Sequence, residues 1–366
     1  VNPIEVLTPL AVIRQDVQSM HAYAIQDSAG MVKLDAMENP FVLSPVLQTE
    51  LGARLGAVAI NRYPGARIDE LKQALARSIA LPAGHALMLG NGSDELISLL
   101  AMGCDLPGAS IVAPLPGFVM YAMSAQLQGL AFHGVPLTAD FELDEAAMLA
   151  AMREHRPAIT YIAYPNNPTA NLWDQAVIRR LIAEAANLGG LVVMDEAYQP
   201  FSSHTWLDEI RAQPEAHAHV LLMRTMSKFG LAGVRIGYMV GPQVLLQEID
   251  KLRPPYNVSV LNAECALFAL EHADVFAAQA AEIRRQRGLL MEALSAMQGV
   301  KVYPSEANMV LVRVSDAQRT FDALKSQGIL VKNVSKMHSL LGNCLRLTVG
   351  TPEENAQLLQ ALKITL

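Results

Sequence analysis

Between residues 110 and 241 the chain alternates short, almost uninterrupted apolar runs with segments of helical spacing, and this alternation limits the fold more than any other feature. The apolar runs are SIVAP (110–114), LAFHGVP (130–136), AITYIAYP (158–165), LVVMDEAY (191–198), HVLLMRT (219–225) and RIGYMVG (235–241). Helix-patterned stretches separate some of them, notably 117–129 and 174–189. A strand that is apolar along its whole length is covered on both faces, which is the condition of a parallel sheet between two layers of helices. The expected fold class is therefore α/β, with a mostly parallel central sheet and helices on both faces. Ligands of such sheets sit beyond the carboxyl ends of the strands. After RPPYNVS (253–259) the pattern changes to one long helical segment over 260–297, a strand at 307–314, a helix at 317–328, strands at 329–334 and 344–350, and a last helix. These form a smaller α+β layer. The expected division is an N-terminal arm and small-domain segment (1–40), a large ligand-binding domain (41–265) and a small C-terminal domain (266–366).

A length of 366 residues suits one large and one small core. The net charge of −7 and the lack of any basic run give no electrostatic reason to bind nucleic acid or a membrane surface. Residues 106–139 carry no Asp, Glu, Lys or Arg. Pro107, Pro114, Pro116 and Pro136 interrupt them, so they read as buried strand, helix and strand rather than a membrane span. Cys104, Cys265 and Cys344 are odd in number and widely separated, with no metal-ligand spacing. They are expected to be reduced thiols of a cytoplasmic protein that holds no metal. Glu5, Arg14 and Asp16 make the first residues unlike a signal peptide.

Four motifs fall just after strands. In RTMSKFGLAGVRIGY (224–238), Lys228 lies among small and hydroxyl residues. A lysine there can act as a nucleophile if it is kept partly neutral beside a cofactor. Thr225 and Ser227 can donate to a phosphate, and Arg235 can bind one through two bonds. In LVVMDEAYQPF (191–201), Asp195 closes an apolar strand. A buried acid needs a cation or a proton, and a protonated pyridine nitrogen is such a cation. Tyr198 and the Asn167 of YPNNPT (164–169) could both donate to a ring oxygen of the same ligand. GNGSDE (90–95) opens a helix at Asp94, and the amides around Ser93 and Asp94 could cradle a phosphate at the positive end of the helix dipole. Taken singly these are, in turn, a surface lysine, a helix cap, a turn and another cap. Together they supply the separate needs of one cofactor, pyridoxal 5'-phosphate (PLP).

The order G-N-G-S-D-E, Y-P-N-N-P-T, M-D-E-A-Y and T-M-S-K…R resembles the fold-type I PLP-dependent aminotransferases over nearly the whole chain. More narrowly, LDAMENP (34–40), NRYPG (61–65), SEANMVLVR (305–313) and CLRLTVGTPEEN (344–355) resemble the histidinol-phosphate aminotransferase family. The resemblance implies that Lys228, Asp195 and Tyr198 are catalytic and that Phe118 stacks on the PLP ring, where relatives often carry tyrosine. It implies a homodimer in which Tyr63 reaches the PLP phosphate of the other subunit. Arg346 and Asn167 would contact substrate, with Arg346 holding an α-carboxylate. Lys332 stands where relatives usually have an arginine for the substrate phosphate. The implied reaction converts L-histidinol phosphate and 2-oxoglutarate to imidazole acetol phosphate and L-glutamate, a step of histidine biosynthesis. An aromatic amino acid aminotransferase and a threonine-phosphate decarboxylase share these motifs and stay open. A PLP-sensing regulatory module and a cofactor-free α/β binding protein are the readings from other classes.

Overall fold

The computed structural model describes residues 9–20 and 26–366. A seven-stranded sheet is built from β1 (His85–Gly90), β2 (Ser110–Leu115), β3 (Ala131–Pro136), β4 (Ile159–Ala163), β5 (Leu191–Asp195), β6 (Val220–Thr225) and β7 (Gly237–Pro242). Their spatial order is β1-β7-β6-β5-β4-β2-β3. Only β7 runs against its neighbours, so the carboxyl ends of the other six share one edge.

The continuous apolar runs have a direct explanation. Val192 and Met194 face one core with Val220 and Leu222, while Val193, Leu221 and Met223 face the other. Successive strand residues point to opposite faces, so both parities must be apolar when helices cover both sides. Helices Ala66–Ser78, Glu145–His155 and Gln175–Leu188 supply the first core. Helices Ser93–Gly103, Met120–Gln128 and Gln243–Asp250 supply the second.

A four-stranded antiparallel sheet, ordered Lys332–Asn333, Cys344–Thr348, Met309–Arg313 and Lys301–Val302, forms a third core with the helices Ala273–Ser295, Ala317–Ser326 and Pro352–Thr365. The last helix starts with a reciprocal cap between Thr351 and Glu354. Leu34 and Met37 belong to this core, because Val32–Lys33 pairs in parallel with Ile329–Leu330.

Several details differ from expectation. The helical segment 260–297 is two helices, Val260–Glu271 and Ala273–Ser295, separated at His272. The strand expected at 329–334 is two short pieces with different partners: Ile329–Leu330 meets the N-terminal segment, and Lys332–Asn333 meets Cys344–Thr348. The helix after GNG begins at Ser93, one residue before Asp94. β7 starts at Gly237 because Arg235 takes a left-handed backbone, φ 58°.

Candidate active site

The four sequence motifs converge on one cavity of about 330 Å³ at the shared strand edge. Ser93, Asp94, Phe118, Asn167, Asp195, Tyr198, Thr225, Ser227, Lys228 and Arg235 all line it. Tyr63, Arg346 and Lys332 are not part of its wall.

Lys228 lies in the tight turn Ser227–Leu231 that follows β6, and Gly230 breaks the helical path at φ 132°. The Lys228 Nζ donates to the Ala36 carbonyl at 3.2 Å and stands 5.8 Å from the centre of the Tyr198 ring. Burial, aided by the Arg346 charge, pulls its pKa down to about 8. About a tenth of this amine is therefore uncharged at pH 7, and the uncharged form is the one that attacks a carbonyl.

Asp195 is the last residue of β5 and is buried. Its Oδ1 accepts from the Ala197 amide at 3.0 Å, and its Oδ2 accepts from the Tyr121 hydroxyl at 2.6 Å. Burial raises its pKa to about 6 against the opposing pull of these bonds. No cation pairs with it among the described residues. A buried carboxylate in a ring-lined cavity without a cationic partner fits a ligand that brings its own positive nitrogen. Sequence reasoning missed Tyr121. Its ring stacks on Tyr161 at 4.1 Å and meets the edge of Phe118 at 5.6 Å. Spacing gave no signal for it, because Phe118 lies before the helix Met120–Gln128 that carries Tyr121.

The other end of the cavity suits a phosphate. Helix Ser93–Gly103 has Gly92 as its N-cap residue and no side-chain cap, which leaves its first amides for a ligand. Gly92 has φ 80°, and a Cβ there would lie 2.6 Å from Arg235 Nη2. A Cβ on Gly237 would lie 2.6 Å from the Ser93 nitrogen. These two glycines let the helix start and Arg235 come together. Arg235 reaches Asp94 at 3.3 Å, and Thr225 donates to Ser227 Oγ at 3.0 Å. One arginine, two hydroxyls and a helix N-terminus form an anion cradle.

Behind the wall, Arg346 ties the small sheet to the cavity residue Asn167. Its Nη1 donates to Asn167 Oδ1 at 2.8 Å and its Nη2 donates to the Asp35 carbonyl at 2.8 Å. Tyr198 is buried nearby, and burial raises its pKa although Arg346 opposes this. Lys332 lies directly opposite Arg346 in the antiparallel ladder, so the two side chains leave the same face of that sheet. Tyr63 is 74% exposed and stacks on Tyr256 at 4.2 Å.

A partly neutral lysine amine, a buried acid and an anion cradle around one ring-sized space are the equipment of a pyridoxal-phosphate enzyme. Residues 29–362 match the family model of class I and II aminotransferases, and the chain belongs to that family. It is 70% identical to the histidinol-phosphate aminotransferase of Methylibium petroleiphilum, over 96% of this chain and 94% of that protein. The enzyme of the same name from Acidovorax sp. is 64% identical over the full length of both. Among solved structures, the histidinol-phosphate aminotransferase from Sinorhizobium meliloti in complex with pyridoxal-5'-phosphate has the same fold, with a TM-score of 0.82 at 24% identity over 100% of this chain and 98% of that one. The L-threonine-O-3-phosphate decarboxylase from Porphyromonas gingivalis also shares it, with a TM-score of 0.76 at 22% identity over 91% and 99%. No helix among the described residues is long and apolar enough to cross a membrane.

Proposed function

We propose that this chain is a PLP-dependent aminotransferase that moves the amino group of L-histidinol phosphate to 2-oxoglutarate, giving imidazole acetol phosphate and L-glutamate in histidine biosynthesis. The observation that carries the chemistry is the meeting of Lys228 and Asp195 in one cavity with the anion cradle. The substrate is carried by relatives of that name at 64–70% identity over 94–100% of their length.

Bound PLP supplies an electron sink for the charge that develops at the substrate carbon bearing the amine. Lys228 would hold the cofactor, and its amine is the base that would take the proton from that carbon and return one. Asp195 would pair with the pyridine nitrogen, and Tyr121 keeps that carboxylate aimed through its 2.6 Å bond. Arg346 occupies the Asn167 Oδ1, which leaves the Asn167 amide hydrogens, with the Tyr198 hydroxyl, for the cofactor's ring oxygen. Phe118 would cover the ring. Thr225, Ser227, Arg235 and the amides at Ser93 and Asp94 would hold the phosphate. Arg346 serves the α-carboxylate of glutamate and 2-oxoglutarate, which histidinol phosphate lacks.

The working unit of this reading is a homodimer in the cytoplasm, with Tyr63 completing the neighbour's phosphate site. Its support is that helix Pro45–Ala57 has no fully buried residue and that Val42, Val46, Ile60 and Tyr63 are all exposed. Small molecules and a second copy are the partners, without nucleic acid or membrane. The chain divides into an N-terminal arm and small-domain segment (1–40), a large PLP domain (41–265) and a small domain (266–366), a reading supported by the four-stranded sheet that residues 301–348 form apart from the seven-stranded one.

A donor panel tests the substrate. Histidinol phosphate should react faster than phenylalanine, and threonine phosphate should release no CO2. Carbon dioxide from threonine phosphate, with no keto product from histidinol phosphate, would convert the reading to a lyase. Lys332 tests the second phosphate site. Lys332→Ala should raise KM for histidinol phosphate by about tenfold, the value of one charge-assisted contact, and change KM for glutamate much less. Equal changes for both would remove Lys332 from the site.

A further inference from the structure

The cavity wall contains three acids, and two of them have work already. Asp94 meets Arg235, and Asp195 takes the Tyr121 hydroxyl and the Ala197 amide. The third is Glu38, on the Ala36–Glu38 stretch that overlies Lys228, whose Nζ is bonded to the Ala36 carbonyl. Glu38 is near enough to Lys228 to favour its charged form. One carboxylate oxygen accepts from Lys33, and the side chain is 46% exposed, so the other oxygen has room for a ligand. Glu38 and Lys228 line the same cavity, so a donor held at the amine can reach this stretch.

We infer that Glu38 is a specificity-determining residue that recognises the imidazole ring of the amino donor. This rests on the proposed function and deepens it. An imidazole offers N–H donors and is partly protonated near pH 6.5, so a carboxylate makes a charge-assisted bond to it. The second substrate pair, glutamate and 2-oxoglutarate, brings a side-chain carboxylate to the same cavity, and Glu38 repels it. One group therefore acts with opposite sign on the two half-reactions, and a residue that only supports the fold would not do so.

Single-turnover half-reactions of the PLP-loaded enzyme, followed by cofactor absorbance, separate the saturation constant from the limiting rate. In Glu38→Gln the saturation constant for histidinol phosphate should rise about tenfold, as for one lost hydrogen bond to a charged group. The constant for glutamate should fall by about two- to threefold as the repulsion is relieved. Lys33→Met, which removes the neighbouring cation and leaves the acid, should keep the histidinol phosphate constant within about twofold. Equal shifts for both substrates in Glu38→Gln overturn the assignment, as does a Lys33→Met variant that reproduces the tenfold rise. A wild-type enzyme inert toward histidinol phosphate overturns the assignment together with the function it rests on.

Discussion

Lys228→Ala should lower turnover by at least about 10⁴-fold, the upper range for a single general acid–base group, because the same amine also holds the cofactor. The purified wild type should show a visible cofactor absorbance band that borohydride removes, and the variant should lack it. No other lysine among the described residues lines the cavity, so no neighbour there can substitute. A pH profile adds a sharper test. Burial sets the Lys228 pKa at about 8. Only the neutral amine attacks, so the rate at which cofactor-free protein captures an aldehyde should climb tenfold per pH unit below 8 and level off above it. A rate flat from pH 6 to 9, or a variant that retains full activity, would refute the assignment of Lys228.

The second large effect concerns Asp195 and separates stability from activity. Asp195→Asn should lower kcat by about 10²- to 10³-fold, as when one preorganised electrostatic partner is removed. In the cofactor-free protein the same change should help folding. The folded pKa of about 6 lies above the unfolded value of about 3.9. Between these values the folded state keeps a proton that the unfolded state has lost, so wild-type stability falls as pH rises from 4 to 6 and stays lower above that. The shift of about two units corresponds to about 3 kcal/mol relative to the variant, which has nothing to titrate there. Chemical denaturation of both proteins at pH 4, 6 and 8 measures it. A gap that does not change with pH would mean that Asp195 is not held as a destabilised acid awaiting a cation.

Much of this site could be read from the chain because each motif sits at a strand end, and apolar runs mark strands. Asp195 after LVVM and Lys228 after VLLMRT announce both their element and their edge. The same logic fails where contacts are distant in sequence. Nothing near Tyr121 foretells its bond to Asp195, 74 residues on. Arg346 meets Asn167 across 179 positions. Glu38 appears in the sequence only as part of a family string, and its place over Lys228 follows from the pairing of Val32–Lys33 with Ile329–Leu330. Helix continuity was also hidden, because the stretch around His272 has no proline or glycine to mark the break between two helices.

That pairing has a mechanical consequence. The Leu34 amide donates to the Leu330 carbonyl, the Leu34 carbonyl accepts from the Thr348 amide, the Met37 amide donates to Thr348 Oγ1, and the Asp35 carbonyl is held by Arg346. The ceiling over the reactive amine is thus fastened to the C-terminal sheet, while the floor belongs to the seven-stranded one. A tilt between the two sheets changes the headroom above Lys228 as a single movement. Substitutions far from the chemistry, in the Ala317–Ser326 helix for example, should then act on substrate entry and product exit before they touch the bond-making step.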